Sequence, residues 1–71
     1  MDKELALKEL GIRLRELRLS KGLTQTDLAY SIGKDHPSIN RLENGKINPS
    51  YIFLCEVAKG LDVEVSELFK K

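Results

Sequence analysis

The segment 36–44 carries side chains that could hydrogen-bond along one helical face. If this segment is helical, Ile39 and Leu42 mark its buried side, because successive residues are rotated by about 100°. The opposite side then holds Pro37, Asn40, Arg41 and Asn44, with His36 at its margin. Arginine matches the O6 and N7 atoms of guanine, and asparagine matches N6 and N7 of adenine. The face therefore suits base edges, although the wet side of any small helix is also polar.

The other reactive side chains give little support for catalysis or metal binding. The single cysteine and single histidine, Cys55 and His36, match no spacing of metal ligands. There is no Gly-rich phosphate loop, and 71 residues leave little room for a substrate pocket. We therefore expect a protein that is not an enzyme and uses no metal or cofactor. Cys55 is expected to be a buried, inert thiol on an apolar helix face.

Helices must position these side chains, since no stretch alternates apolar and polar residues as a strand would. The expected fold is all-α, a compact arrangement of five helices. The apolar periodicity predicts helices over residues 2–19, 25 to about 32, 36 to about 44, about 50–60 and 65–69. Glycines at positions 22, 33, 45 and 60 mark the ends of the first four, and Lys70 and Lys71 remain as a frayed basic tail.

The predicted helix starts depend on capping side chains. Thr24 and Asp27 have the spacing of a capping box before the second helix. Asp35 can cap the third helix, with a proline in its first turn, where a missing N–H is no loss. The fourth helix can begin at Asn48, followed by a proline, or at Ser50. The second and third helices are joined by so few residues that they must cross steeply, which predicts a helix-turn-helix over about 24–44.

Composition limits the organisation and the partners of the chain. The 71 residues suffice for one domain, 1–71, and a net charge of +1 names no partner. Basic residues outnumber acidic ones by seven to four between Arg13 and Lys46, around the short helices, as phosphate binding requires. No apolar run approaches the roughly 18 residues of a membrane span, and no signal peptide is evident. We expect a cytoplasmic protein that does not bind membranes.

At this point the sequence resembles the Xre, or lambda-repressor-like, helix-turn-helix family of bacterial and phage regulators. The resemblance covers about 60 residues between Gly11 and Phe69, with no gap. It rests on the runs Arg13-Leu14-Arg15-Glu16-Leu17-Arg18, Gly22-Leu23-Thr24-Gln25, Asp27-Leu28-Ala29, Gly33, Ser38-Ile39, Arg41-Leu42-Glu43-Asn44-Gly45-Lys46, Asn48-Pro49-Ser50 and Glu67-Leu68-Phe69.

The resemblance implies a role for each candidate residue. Four positions in the third helix would read bases: His36, Pro37, Asn40 and Arg41. Five positions would bind phosphates: Gln25, Ser38, Asn44, Lys46 and Asn48. Arg18 and Glu43 occupy the positions of an ion pair that ties the first helix to the end of the third. Pro37 departs from the family, which commonly has a hydrogen-bonding residue there, so its ring would touch a thymine methyl or merely shape the helix start.

Self-association is expected because a domain of this size has neither a disulfide nor a metal to stabilise it. The segment 49–69 is more apolar than one small core requires, and many members of the family dimerise there. The predicted dimer surface is drawn from Tyr51, Ile52, Leu61, Val63, Val65, Leu68 and Phe69. A dimer would place two recognition helices about one DNA turn apart, on a pseudo-palindromic operator.

The leading hypothesis is therefore a homodimeric, sequence-specific DNA-binding repressor that acts by occupying its operator. An antitoxin and a restriction-modification controller protein are alternatives with the same fold, and any toxin or polymerase partner is left open. A protein-interaction module that has lost DNA binding is another. Such a module would be expected to lose Gln25, Arg41 and Asn44, and all three are present.

Overall fold

The computed structural model describes residues 1–70 and consists of helices joined by short turns. Its elements are α1 (Lys3–Ser20), α2 (Gln25–Ser31), α3 (His36–Glu43), α4 (Tyr51–Gly60) and a 3₁₀ turn (Val65–Phe69). No strand occurs within these 70 residues, so the all-α prediction is confirmed. None of the helices in this range combines the length and the apolar character needed to cross a bilayer. Lys71, the end of the predicted domain and tail, lies outside the described residues.

The fifth predicted helix is a 3₁₀ turn, so the count of five α-helices is not confirmed. The segment Val65–Phe69 has the predicted bounds, but the Glu67 N–H donates to the Glu64 carbonyl three residues earlier, at 2.9 Å. Five residues are too few to offset the cost of nucleating an α-helix, and no side chain caps this segment.

Local capping explains where the longer helices start. In α2 the Asp27 N–H donates to Thr24 Oγ1 at 3.0 Å, and the Thr24 N–H donates to the Asp27 carboxylate at 2.9 Å. Hydrogen bonding by Thr24 to the Asp27 carboxylate, chiefly from the Thr24 backbone N–H, lowers the pKa of Asp27. For α4 the structure selects Ser50 rather than Asn48, because Ser50 Oγ accepts the Phe53 N–H at 3.0 Å.

The core lies where α1, α2, α3, α4 and the 3₁₀ turn converge. Ten apolar side chains are buried there: Leu14, Leu28, Ala29, Ile39, Leu42, Leu54, Val57, Ala58, Leu61 and Leu68. Two glycines permit close helix crossings. A Cβ on Gly11 would overlap the backbone at the end of α3, and one on Gly60 would meet Ile32 Cγ2 at 2.7 Å and Leu28 Cδ1 at 2.8 Å.

The end of α4 shows that Gly60 serves packing. Gly60 is the last residue of α4, as predicted, but the left-handed backbone conformation after the helix belongs to Asp62, with φ of 57°. The missing Cβ of Gly60 instead leaves room for side chains of α2.

Candidate nucleic-acid interface

The exposed side of α3 is the side that the helical periodicity predicts. Ile39 and Leu42 are buried, whereas the four predicted base-reading residues and Asn44 are exposed. Asp35 caps the helix by accepting the Ser38 N–H at 2.9 Å. The structure thus places His36, Pro37, Asn40 and Arg41 on one accessible helix.

Ser38 is half-buried, as is Gln25, whereas the other three predicted phosphate ligands are exposed. The Ser38 hydroxyl donates to the Asp35 carboxylate. The hydrogen bonds from Ser38 lower the pKa of Asp35, and the positive charge of Arg41 lowers it further. The Ser38 hydroxyl therefore already donates its proton to a hydrogen bond within the chain, to Asp35.

A buried ion pair connects α1 to the end of α3. Arg18 Nε lies 2.7 Å from Glu43 Oε2, and a second guanidinium nitrogen donates to Oε1 at 3.0 Å. The remaining guanidinium nitrogen donates to the Leu23 carbonyl at 2.8 Å. The side chain of Arg18 is only 8% exposed and that of Glu43 only 3%. The hydrogen bonds to Glu43 raise the pKa of Arg18, although burial acts in the opposite direction.

The ion pair continues into a chain of hydrogen bonds that reaches the exposed face. Gln25 Nε2 donates to Glu43 Oε1 at 3.0 Å, and Gln25 Oε1 accepts from Asn40 Nδ2 at 3.2 Å. Asn44 Nδ2 then donates to Asn40 Oδ1 at 3.2 Å. The helical periodicity missed these contacts, because it describes one helix at a time and the chain of bonds joins α2 to α3.

The turn after α3 carries two further predicted phosphate ligands. Lys46 and Asn48 are both exposed. The turn begins at Gly45, with φ of 68°. A Cβ on Gly45 would lie 3.1 Å from the backbone nitrogen of Lys8 in α1. Lys8, which is also exposed, therefore has its backbone beside the predicted phosphate-binding turn. No sequence pattern pointed to Lys8, because 37 positions separate it from Gly45.

The positive charge available for DNA is smaller than the charge count suggests. Arg18 is bound to Glu43, and Arg13 donates from Nε to the Glu67 carbonyl at 2.8 Å. Lys34 lies 3.7 Å from Glu56 and over the ring of Phe53. Three of the seven basic residues between positions 13 and 46 thus serve contacts within the chain. The other four are exposed: Arg15, Lys21, Arg41 and Lys46.

The predicted dimer surface needs correction. Tyr51 and Ile52 are each 66% exposed and Phe69 is 58% exposed, while Val63 and Val65 are half-buried. Leu61 and Leu68 are only 1% exposed, because both lie in the core of the chain itself. Their inclusion in a surface for a second copy was wrong.

Cys55 is half-buried, so the prediction that its thiol is buried was wrong. It lies one turn after Tyr51 on α4, and its proximity raises the pKa of the Tyr51 hydroxyl. Within residues 1–70, no three His, Cys, Asp or Glu side chains are grouped so that they could hold a metal ion.

Known proteins resemble this chain in sequence and in fold. A solved restriction-modification controller protein, C.AhdI of Aeromonas hydrophila, superposes with a TM-score of 0.90 and 42% sequence identity, over 92% of this chain and 98% of that one. The control protein C.MunI of a Mycoplasma species is 38% identical over 60 residues, covering 83% of this chain and 81% of its own. An uncharacterised HTH-type transcriptional regulator of Archaeoglobus fulgidus is 37% identical over 57 residues, covering 80% and 81%.

The family described as helix-turn-helix matches residues 14–68. This match contains α2, the turn, α3 and the whole of α4, together with the ion pair and the hydrogen bonds described above. The chain therefore belongs to the helix-turn-helix family, which confirms its resemblance to the Xre, or lambda-repressor-like, proteins.

Proposed function

We propose that the protein is a sequence-specific, DNA-binding transcriptional regulator that places α3 in the major groove as part of a homodimer. The observation that carries this proposal is the exposed face of α3, a helix that the buried Arg18–Glu43 pair joins to α1 and the Gln25–Glu43 hydrogen bond joins to α2. An α-helix fits the major groove, where each base pair has a distinct pattern of donors and acceptors. A second copy supplies the second half-site contact.

Base and phosphate contacts divide along this surface. Arg41, near the middle of the exposed face, is assigned to a base edge, together with His36, Pro37 and Asn40. Gln25 begins α2, where the N-terminal amides of a helix favour a phosphate. Lys46, Asn48 and Asn44 are assigned to phosphates after α3, with Lys8 added beside them. Ser38 keeps this assignment only if its hydroxyl turns away from Asp35.

Within this class, a restriction-modification controller protein is the specific role that we propose. C.AhdI carries that description and C.MunI is described as a control protein, and the present chain covers nearly all of the first and most of the second. A phage-type repressor and an antitoxin share the fold and are the competing roles. A module without DNA binding is disfavoured, because Gln25, Arg41 and Asn44 are all present and solvent-accessible.

Selection of bound duplexes from a random DNA library, at about physiological salt, tests the function directly. We expect enrichment of an inverted repeat whose half-sites are centred about 10 base pairs apart. Enrichment of a single half-site would contradict the dimer. If folded protein enriches no motif, the proposed function is wrong.

Two substitutions separate base contacts from phosphate contacts. Arg41→Ala should relax the preference at one position of the site, with a loss of about 1 to 3 kcal/mol on the preferred duplex. Lys46→Ala should weaken binding to all duplexes alike and reduce the salt slope by about 1. Titrations of specific and scrambled duplexes over a range of salt concentrations measure both effects. Equal weakening on all duplexes by Arg41→Ala would reassign this residue to phosphate.

Phe69→Asp tests the corrected dimer surface, formed by Tyr51, Ile52, Val63, Val65 and Phe69. A charge buried between two copies without a partner is unfavourable, so the variant should sediment as a monomer and bind the operator more weakly. Ile12→Asp is a matched control, because Ile12 is also 58% exposed but lies on α1. Dimerisation that survives Phe69→Asp, or that is lost equally in Ile12→Asp, would place the interface elsewhere.

A further inference from the structure

Both hydrogen bonds by which Ser38 holds the N-cap residue of α3, Asp35, end on one carboxylate oxygen. The Ser38 N–H donates to Asp35 Oδ1 at 2.9 Å, and the Ser38 hydroxyl donates to the same oxygen. An ionised carboxylate has about four acceptor sites on its two oxygens. Capping therefore fixes the orientation of this exposed carboxylate and leaves acceptor capacity on Oδ2.

Arg41 extends along α3 toward the same carboxylate. Side chains on an α-helix lean toward its N-terminus, over the preceding turn. Ser38, which holds the Asp35 carboxylate, is three positions before Arg41 and lies in that turn. The hydrogen bonds from Ser38 lower the pKa of Asp35, and the nearby positive charge of Arg41 lowers it further. A negative acceptor and a positive donor thus lie near each other on the exposed side of α3.

We propose that Asp35 is a specificity-determining residue, whose carboxylate accepts a hydrogen bond from the N4 amino group of a cytosine while Arg41 binds the guanine of the same base pair. This role rests on the proposed function, because it requires α3 in the major groove. Arginine there donates to guanine O6 and N7, and aspartate accepts from cytosine N4. The two side chains therefore match the two acceptors and the donor that one G·C pair presents.

The carboxylate also opposes contacts with other DNA sequences. An A·T pair in the same orientation presents thymine O4, an acceptor, where the G·C pair has its cytosine amino group. A carboxylate has no donor for that oxygen, and its negative charge repels phosphates. Asp35 thus lowers affinity for wrong sequences more than for the right one, which is how a repulsive group contributes to specificity.

Asp35→Asn tests this role with a small change of structure. Asparagine caps helices about as well as aspartate. Its Oδ1 would accept the hydrogen bonds from Ser38, so its amide nitrogen, a donor, would replace Oδ2. In selection from the random library, the preference for G·C over A·T should fall about fivefold or more at the base pair where Arg41→Ala relaxes preference. Affinity for scrambled duplexes should not fall, because a negative charge is removed.

Asp2→Asn is the matched control. Asp2 caps α1 in the same way, with Oδ1 accepting the Leu5 N–H at 3.1 Å, and its exposed side chain loses the same charge. This variant should leave every base preference unchanged, and urea denaturation should show that both variants fold.

Several results would overturn the role of Asp35. One is that Asp35→Asn keeps the preference for G·C or changes affinity equally for all duplexes, since the carboxylate would then act only on phosphates. Another is that Asp2→Asn relaxes the same preference. A third is that Arg41→Ala relaxes no preference, or relaxes it at a different base pair from Asp35→Asn.

The free protein allows a test that needs no DNA. Titration of the Asp35 carboxyl group followed by NMR should show that its pKa rises in Arg41→Ala, because a nearby positive charge favours the ionised form. An unchanged pKa would show that Arg41 does not lie beside the carboxylate, and would overturn the joint recognition of one base pair. A folded wild-type protein that enriches no motif would instead refute the proposed function, and with it the role of Asp35, whatever the titration shows.

Discussion

Gly11→Ala is expected to destabilise the protein by about 3 kcal/mol or more, at the upper end of overpacking effects. A Cβ at this position would overlap the Glu43 carbonyl oxygen, and would lie 2.7 Å from the Glu43 carbonyl carbon and 2.9 Å from the Leu42 oxygen. These atoms belong to the backbone of α3, so no side-chain rotation relieves the overlap. The helices α1 and α3 must separate instead, although alanine at an unhindered helix position is favoured by up to about 1 kcal/mol over glycine.

Gly60→Ala is the matched control for this prediction. Gly60 also lies in a helix, so the gain in helix propensity is similar. Its Cβ would meet the ends of the Ile32 and Leu28 side chains, which can move. Urea denaturation followed by circular dichroism should show a much smaller loss for Gly60→Ala than for Gly11→Ala. Equal losses would contradict the backbone contact between α1 and α3.

The contrast between these two glycines shows which features a sequence pattern can predict. Capping is local, so Thr24 and Asp27 located the start of α2 correctly, and the spacing of Ile39 and Leu42 gave the exposed side of α3. The importance of Gly11 depends on its close contact with Leu42 and Glu43 of α3, which are more than 30 positions away along the chain. No periodicity within α1 contains that information.

The same reason explains the errors in the apolar segment 49–69. A helical pattern identifies apolar side chains but not what covers them, so Leu61 and Leu68 could not be separated from Ile52 and Phe69 before the fold was known. The family resemblance, rather than the pattern, pointed to the pairing of Arg18 with Glu43. Neither the helical pattern nor the family resemblance predicted the hydrogen bonds of Gln25 with Glu43 and Asn40, because these bonds depend on side-chain geometry between α2 and α3.

Glu43→Ala is expected to lower the free energy of unfolding by about 3 to 5 kcal/mol. The Arg18 guanidinium would remain in a site where only 8% of its side chain is exposed, without the carboxylate that accepts two of its hydrogen bonds. Denaturant unfolding measures the loss. Glu56→Ala provides the control, because its 3.7 Å pair with Lys34 is 40% exposed on both sides and should contribute less than about 1 kcal/mol. Similar losses of unfolding free energy in the two variants would show that the buried Arg18–Glu43 pair stabilises the protein no more than the exposed Lys34–Glu56 pair.

Replacing both partners, as Arg18→Met with Glu43→Leu, should restore much of the stability lost in Glu43→Ala. Apolar side chains of similar volume remove the buried charge, although the Leu23 carbonyl loses the hydrogen bond from Arg18. The restored protein would still lack the acceptor that orients Gln25. Because Gln25 also accepts a hydrogen bond from Asn40, which is assigned to a base edge, this variant should fold and bind DNA with relaxed base preference. A double variant that regains stability and keeps full base preference would show that the ion pair stabilises the fold without orienting the recognition surface.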